Sequence, residues 1–288
     1  MSGLPQRASA VELLQGPSAA DEADAVAEAL AVAAGVVVRS LATPDEMTRA
    51  SGLLADVWKT AKSRAQLDPG LLVALAHAGN YVAGAFRGDD LVAVCVGFFH
   101  EPAEAALHSH ITGVVDGSIG AGIGKALKHH QRAWCLRHGA TTMTWTYDPL
   151  VARNAFFNIH RLGGDATEYL TDFYGEMQDG LNRGQPSDRM LLVWDLVAAA
   201  PRPDREAPEV AALRSVDGRP HLEPVLDPGC TRCRVEVPED IEGLRRSDPD
   251  LAIAWRLAVR SSLVGLLAAG WLITDFDRRG FYVLERNP

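Results

Sequence analysis

The sequence predicts an α/β (α+β) fold in which a mixed central β-sheet carries helices on both faces and a smaller β-α-β-β unit follows at the C-terminal end. A glycine-rich turn at residues 120–124 joins an apolar, strand-like run to a run with helical spacing. Strand and helix patterns alternate on both sides of that turn. After a proline-rich stretch, the pattern of a strand, a long helix and two strands occurs once more.

Before the glycine turn, the sequence predicts a strand, two helices and three strands. The first strand covers residues 36–39, and Thr43 with Pro44 begins a helix that reaches about residue 58. The next elements are a helix between residues 68 and 79, strands over 81–86 and 91–99 joined by a Gly-Asp-Asp turn, and a strand over 107–115.

After the glycine turn, helix and strand patterns continue to alternate. Ile123, Leu127 and Trp134 recur at helical intervals within residues 123–137. The further predicted elements are a strand over 141–147, a helix over 152–162, and strands over 166–173 and 190–197.

The glycine turn has the chemistry of an anion site. The first N–H groups of a helix lack carbonyl partners, and closely spaced glycines allow a phosphate to reach them. Two nucleotide-binding patterns do not fit. A Walker A loop requires Gly at position 119 and Ser or Thr at position 126, where Ile119 and Ala126 stand, and the dinucleotide pattern requires Gly at Lys125.

The turn resembles motif A of the GNAT N-acetyltransferase superfamily, in which Gln or Arg, two residues, Gly, one residue, then Gly or Ala bind the pyrophosphate of acetyl-coenzyme A. Gly122 and Gly124 match this motif, and Ile119 departs from it. Residues 154–163, which end in a Leu-Gly pair, resemble a later helix of the family. The resemblance covers residues 36–197 and is closest to a branch of predicted enzymes whose substrates are mostly unassigned.

The resemblance implies a GNAT fold and an acyl-CoA co-substrate, either acetyl-CoA or another such as succinyl-CoA, with no metal. It also implies backbone donors at the turn, an oxyanion donor on the strand before it, and contacts from two Asn side chains to the pantetheine amides. The residues expected to bind the co-substrate are Val114, Val115, Ile119, Gly120, Ala121, Gly122, Ile123, Gly124, Lys125, Asn154 and Asn158.

The catalytic groups implied by the family are only partly present. Ile159 stands where the family often places a Tyr that protonates the leaving thiolate. Tyr174 is the preferred substitute, ahead of the alternatives Tyr147 and Tyr169. For the base that accepts the amine proton, the candidates are His108 and His110, two residues apart on one strand, with Glu176 as a competitor.

Composition limits the class of protein. The 288 residues carry a net charge of −9, so the overall field repels nucleic acid. The apolar runs are shorter than a bilayer-crossing helix and the N-terminus lacks a signal peptide pattern, which predicts a cytoplasmic protein without a membrane partner. Four cysteines do not indicate a disulfide framework, and Cys230 and Cys233 are interpreted as ordinary thiols.

The predicted organisation is an N-terminal extension (1–34), an acyltransferase domain (35–200), a linker (201–229) and a C-terminal half-domain (230–288) that covers the acyl site or forms homodimer contacts. The predicted function is transfer of an acyl group, most simply acetyl, from CoA to a primary amine of a small molecule. Two alternatives stay open. One is N-succinyl transfer to amino acids, with Arg153, Arg161 or Arg189 in the acyl pocket, and the other is an acyl-CoA-binding protein without catalysis.

Overall fold

The structure is a computed structural model that describes residues 18–61, 65–101, 103–118, 120–175, 177, 184–223 and 227–286. The helices are α1 (Ala19–Ala33), α2 (Pro44–Val57), α3 (Pro69–His77), α4 (Ile123–Arg137), α5 (Ala152–Ala155), which continues as a π-helix (Phe156–Arg161), α6 (Ile241–Ser247) and α7 (Pro249–Ala268). The strands are β1 (Val37–Ser40), β2 (Tyr81–Arg87), β3 (Asp90–Phe99), β4 (Ala106–Val114), β5 (Thr142–Tyr147), β6 (Asp165–Leu170), β7 (Arg189–Asp195), β8 (Ala211–Val216), β9 (Arg219–Leu222), β10 (Arg232–Glu236), β11 (Leu272–Asp277) and β12 (Phe281–Glu285).

The first sheet has seven strands in the order β1-β2-β3-β4-β5-β7-β6. The β4–β5 pair is parallel, and the other neighbouring pairs are antiparallel. A parallel pair needs a crossover between its strands, and here the glycine turn and α4 form that crossover. The predicted mixed sheet and the predicted order of its elements are therefore confirmed.

Helices cover both faces of this sheet, because its strands are apolar on both sides. Val82, Val94 and Val96 pack with α2 and α3 on one face. Leu107 and Ala83 belong to the core on the opposite face, together with Ile123 and other residues of α4. The α2 helix begins where the sequence predicts, since the Thr43 side chain and Glu46 form a capping box at its N-terminus.

Helix α1 lies along α4 in an antiparallel arrangement. Asp24 near the start of α1 forms an ion pair with Arg137 at the end of α4. At the other end, a Cβ on Gly122 would lie 3.9 Å from the Cβ of Ala34. Small side chains allow the two helices to approach closely, because Ala23 and Ala27 pack against Ala133. The N-terminal extension therefore contains a helix that packs beside the glycine turn.

The C-terminal part forms a second sheet with the order β11-β12-β10-β8-β9. The predicted strand, long helix and two strands correspond to β10, α7, β11 and β12. The prediction that 201–229 is a linker is wrong for its middle part, because β8 and β9 form a hairpin whose first strand pairs in parallel with β10. The prolines of this region misled the prediction; Pro220 lies within β9 at the edge of the sheet, where proline is tolerated.

The sequence predicts that no apolar segment is long enough to cross a bilayer, and helix α7 contradicts this prediction. By length and composition alone, Pro249–Ala268 is long and apolar enough to cross a membrane. In the structure its buried side chains, including Trp255 and Val259, belong to the protein core. Arg256 on the same helix is 0% exposed and forms an ion pair with Asp148 of the first sheet.

All four cysteines are free thiols. Cys233 lies on β10, where burial raises the pKa of its thiol to about 12. The Cys230 thiol donates to the carbonyl oxygen of Arg232 at 3.3 Å. A buried thiol with a raised pKa is a poor metal ligand and nucleophile, so this geometry agrees with the interpretation of the pair as ordinary thiols.

Candidate functional site

An opening in the first sheet separates β4 from β5. Their pairing covers only Ala106 with Thr142, Leu107 with Met143, and His108 with Thr144. Beyond that point β4 continues to Val114 and β5 to Tyr147 without further pairing between them. The facing edges of the two strands therefore diverge, and Ser109 and Trp145 are the first residues at the apex of the opening.

A β-bulge lies at the same apex. Ser109 pairs with Gly97 and Ile111 pairs with Val96, so His110 has no partner residue on β3. Such a bulge leaves one residue outside the regular ladder and changes which side chains face each side of the sheet. Ser109 accordingly faces α4, whereas Ile111 packs with α2 and α3. Sequence reasoning did not detect this bulge.

The glycine turn follows β4 and presents free backbone donors. Gly122 has φ +82°, a left-handed conformation that glycine adopts without strain, and it is the N-cap of α4. The first helical hydrogen bond runs from the Ala126 N–H to the Gly122 carbonyl at 3.0 Å. The N–H groups of the first helical turn, on Ile123, Gly124 and Lys125, thus point out of the helix end. A Cβ at Gly124 would contact no atom within 4 Å, so no described side chain packs against the helix at this position.

The basic run of α4 does not form a single cationic surface beside the turn. Lys125 in the first turn is half-buried, but Lys128 is only 6% exposed and extends beneath the sheet. Arg132 donates through Nε to the Leu196 carbonyl at 2.7 Å. The sequence would place Lys125, Lys128, His129, His130 and Arg132 together at the mouth of the turn, and the structure contradicts this for Lys128 and Arg132, whereas Lys125 lies beside the turn.

Lys128 ends in a buried polar cluster at the apex of the opening. Its Nζ donates to the Ser109 hydroxyl at 2.6 Å and to the Gln131 Oε1 at 3.3 Å. The same Nζ lies 4.0 Å from the centre of the Trp145 ring. Burial lowers the pKa of Lys128 to about 8. Among the residues the structure describes, no carboxylate forms an ion pair with it.

The opposite face of the sheet carries three histidines beside the opening. The imidazole rings of His108 and His110 have centres 6.2 Å apart, and both lie close to the Phe98 ring. His108 Nδ1 lies 3.2 Å from the hydroxyl of Thr144, which is also 2.9 Å from His100 Nε2. The predicted pair does share one face, and His100 is a third member that sequence reasoning missed. We call the surface of His100, His108, His110, Thr144, Thr146 and Tyr174 the acceptor face.

The environment of His108 and His110 favours their neutral forms. Burial, together with the neighbouring His110, His100 and Lys128, lowers the pKa of His108 to about 4. Burial also lowers the pKa of His110 below 6.5. His108 is therefore a neutral hydrogen-bonding group at pH 7. His110 is the more exposed of the two, and it lies at the bulge.

Tyr174 lies at the other end of the acceptor face. Its hydroxyl is 3.0 Å from the Thr146 hydroxyl, and its ring is 42% exposed. Its N–H donates to the Ser187 hydroxyl at 2.9 Å, which fixes the loop after β6. The Arg189 guanidinium lies 5.3 Å from the centre of the Tyr174 ring. Glu176, the competing base, is outside the described residues.

The remaining predicted residues lie at several places around the opening. The Val115 N–H donates to the Val92 carbonyl at 3.0 Å, so this donor is already used. The adjacent Val114 N–H lies on the opposite edge of β4, toward the opening, because donors alternate along an antiparallel strand. Asn154 is exposed on α5, whereas Asn158 is 5% exposed in the π-helix. Ile119 is outside the described residues, and Gly120 and Ala121 are exposed in the turn.

The tyrosine alternatives lie inside the protein and away from the acceptor face. Tyr147 is buried, and its hydroxyl lies 3.5 Å from that of Tyr282. The Tyr169 hydroxyl donates to Asp188 at 2.6 Å. Ile159, where the family often has Tyr, is 0% exposed in the core. The part of the chain that the structure describes has no group of three or more His, Cys, Asp or Glu side chains arranged to hold a metal ion.

The chain is similar to several solved structures that are described as acetyltransferases. The chain resembles a protein from Desulfovibrio desulfuricans assigned to the GNAT family (16% identity, TM-score 0.46, 56% of this chain and 99% of that chain). It also resembles yncA from Salmonella typhimurium, assigned as an acetyltransferase and solved with acetyl-CoA (17%, 0.47, 58% and 98%), and an N-acetyltransferase from Staphylococcus aureus (12%, 0.44, 56% and 98%). No protein-family model and no curated protein matches the sequence. At these identities the likeness concerns the fold alone.

Proposed function

We propose that this protein is an acyl-CoA-dependent N-acyltransferase that transfers an acyl group, most simply acetyl, to a primary amine of a small molecule. The proposal rests on two features that occur together beside β4. The strand pairing with β5 ends at His108, and the turn that follows β4 directs unpaired N–H groups out of the α4 terminus. A thioester linked to a pyrophosphate needs both a slot and an anion site.

The residues present fit an acyl-CoA. The N–H groups of Ile123, Gly124 and Lys125 would hold the pyrophosphate, since no Cβ stands in front of Gly124 and no acidic residue lies in the first turn of α4. The opening between β4 and β5 would take the pantetheine arm. The Val114 N–H, on the edge of β4 that faces the opening, would donate to the pantetheine arm, because five residues of strand separate Val114 from Ser109 at the apex, where the thioester would lie.

The acceptor face would bind the amine. His110 is the group we assign as the base, because it is exposed and lies at the bulge beside the opening. His108, which stays neutral and is within 3.2 Å of Thr144, would orient the acceptor through a hydrogen bond. Tyr174 would contact the acceptor from the far end of the same face.

Calorimetric titration tests the proposal. Acetyl-CoA, succinyl-CoA and CoA are titrated in parallel into the protein, and the acyl-CoA that binds best is then used in a screen of primary amines that follows thiol release. We expect saturable binding of an acyl-CoA and turnover with at least one amine. Absence of heat from all three ligands would contradict the proposal, and binding without turnover across the screen would favour an acyl-CoA-binding protein.

One observation favours the succinyl alternative. Arg189 is buried beside Tyr174, and its guanidinium donates to the Asp188 carbonyl at 2.8 Å and contacts the Met177 sulfur. A guanidinium next to the acceptor face suits a carboxylate on the acceptor or on the acyl group. By contrast, Arg153 is paired with Glu242 at the surface. This form of the function would be established if the wild-type protein prefers succinyl-CoA, or an amino acid acceptor, and Arg189→Met loses that preference.

A further inference from the structure

We propose that Lys128 is the group that protonates the leaving thiolate. In the family a tyrosine often has this role, and Ile159 stands at its position here. This inference rests on the proposed function. Lys128 lies on α4, six positions after the Gly122 N-cap, and its side chain runs under the sheet to the apex of the opening. None of the sequence patterns that indicated the glycine turn pointed to this side chain.

The position of the ammonium carries the argument. The last β4–β5 pair is His108 with Thr144, so Ser109 and Trp145 would form the next pair if the strands stayed together. Lys128 Nζ lies 2.6 Å from the Ser109 hydroxyl and 4.0 Å from the centre of the Trp145 ring. The ammonium therefore lies at the point where the strands begin to diverge, at the base of the slot proposed for the thioester.

The packing around Lys128 does not explain why a charged side chain is buried there. Removal of an ammonium from water is costly, and buried charges are ordinarily paired with carboxylates. The titratable groups that face Lys128 are the thiols of Cys95 on β3 and Cys135 on α4, with the His108 imidazole on β4. The hydrogen-bond partners are the neutral oxygens of Ser109 and Gln131. A cation held in this way stabilises a nearby negative charge strongly, because little water screens it.

The proton balance is simple. As the acceptor nitrogen bonds to the thioester carbon and the carbon–sulfur bond breaks, the electron pair of that bond goes to sulfur. Lys128 gives one proton to the sulfur, and the proton that the amine loses to His110 returns to Lys128 through solvent before the next turnover. The lowered pKa of Lys128, about 8, is near that of an ordinary thiol, which allows transfer in this direction without a large barrier.

Titration of the lysine side chains by NMR tests the inference without catalysis. The chain has only the lysines Lys59, Lys62, Lys125 and Lys128, and a Lys128→Met protein identifies the signal of Lys128 by its absence. We expect CoA, whose thiolate would lie beside the ammonium, to raise the pKa of Lys128, and desulfo-CoA, which lacks the sulfur, to leave it unchanged. Equal titration curves with both ligands would overturn the inference, although both ligands would still bind.

Kinetics supply the second test. We expect Lys128→Met to lower kcat by about 100-fold with little change in the KM for acyl-CoA, because a general acid acts on the transition state. The ratio of wild-type to variant kcat should fall as pH rises through about 8, since only protonated Lys128 is active. Lys59→Met makes the same replacement at an exposed lysine and should retain full activity. If the fall of kcat at alkaline pH disappears in Tyr174→Phe but persists in Lys128→Met, the acid is Tyr174 instead.

The two proposals fail in distinguishable ways. If wild-type protein binds no acyl-CoA, the proposed function fails. If wild-type protein binds and turns over but Lys128→Met keeps its kcat, only the assignment of Lys128 fails. A Ser109→Ala variant, which removes the nearest hydrogen-bond partner and leaves the ammonium in place, should lower kcat less than Lys128→Met does.

Discussion

Arg260 on α7 donates two hydrogen bonds to the carboxylate of Asp188, with Nε–Oδ2 at 2.9 Å and Nη2–Oδ1 at 2.6 Å. Asp188 is 0% exposed and also accepts from the Tyr169 hydroxyl and the Asp172 N–H. Burial opposes its ionisation, but the hydrogen bonds from Arg260 and Tyr169 hold the pKa of this carboxyl below its ordinary value. The C-terminal helix thereby fixes the loop that presents Tyr174.

Replacement of Arg260 by Met should loosen that loop. We expect the KM for the acceptor amine to rise about tenfold, because a displaced Tyr174 no longer positions the acceptor, while the affinity for acyl-CoA is retained. Steady-state kinetics with each substrate varied in turn measures both effects. Arg279→Met, which removes a surface ion pair with Asp277, is the matched control and should change neither constant. A parallel loss of acyl-CoA affinity in Arg260→Met would contradict this role.

A second prediction concerns Asp148, at the end of β5. Its carboxylate accepts from Arg256 at 2.8 Å through both oxygens and is also paired with Arg245. Asp148→Asn should lower the free energy of unfolding by about 3 to 5 kcal/mol, because Arg256 is left buried without a counter-charge. Urea unfolding measures the change. The double variant Asp148→Asn with Arg256→Met should recover part of it, and no recovery would argue against a charge effect.

Gly122→Asp tests the anion site. The carboxylate would lie at the α4 N-terminus, where it satisfies the same N–H groups and excludes a phosphate. We expect acyl-CoA affinity to fall more than tenfold, with a loss of stability like that in Gly139→Asp because both changes put a side chain at positive φ. Gly139→Asp is the control, because Gly139 has φ +79° at the other end of α4 and its side chain position is equally open. Equal affinities of the two variants for CoA would place the ligand elsewhere.

The histidines predict a loss of stability in acid. His108 and His129 both have pKa values lowered by burial to about 4, so the unfolded chain binds more protons than the folded protein between pH 6.5 and 4. The free energy of unfolding should therefore fall as pH falls through this window. In His108→Gln the fall should be shallower, with His110, His129 and His130 contributing to the rest. An unchanged slope would mean that His108 titrates normally in the folded protein.

Lys128 predicts an effect of the same sign at alkaline pH. Because the pKa is lowered from 10.5 to about 8, the charged lysine costs about 3 kcal/mol of stability at pH 7. Lys128→Met should therefore be more stable than the wild type at pH 7. The difference should shrink as pH rises from about 8 to 10.5, where the lysine loses its proton in the folded protein first. A less stable variant would show that Lys128 is a structural residue.

Local signals in the sequence predicted the first sheet well. The glycine turn and the periodicity of Ile123 and Leu127 gave the limits of α4, and the alternating patterns gave the order of the elements along the chain. The hairpin of β8 and β9 was missed, because its prolines suppress the strand pattern and its pairing partner β10 lies beyond the turn at Cys230. Its stability comes from tertiary packing, which a local pattern does not contain.

The candidate site was predictable only where it depends on the backbone. The donors of Gly124 and its neighbours are at the expected helix end, and His108 shares a face with His110 as expected. The inward course of Lys128 was not predictable, because a lysine on an amphipathic helix ordinarily faces water. Here α1 and the sheet enclose α4 from two sides, so even the polar positions Lys128 and Gln131 are buried.

The two arginine contacts of α7 also set an order of events during synthesis. Arg256 follows Asp148 by 108 positions, and Arg260 follows Asp188 by 72. A ribosome adding about 10 residues per second needs about ten seconds to supply Arg256 after Asp148 has emerged. During that interval the carboxylate of Asp148 lacks its arginine partners, and that of Asp188 lacks Arg260. The growing chain therefore completes the packing of the ends of β5 and β7 only after α7 has left the exit tunnel.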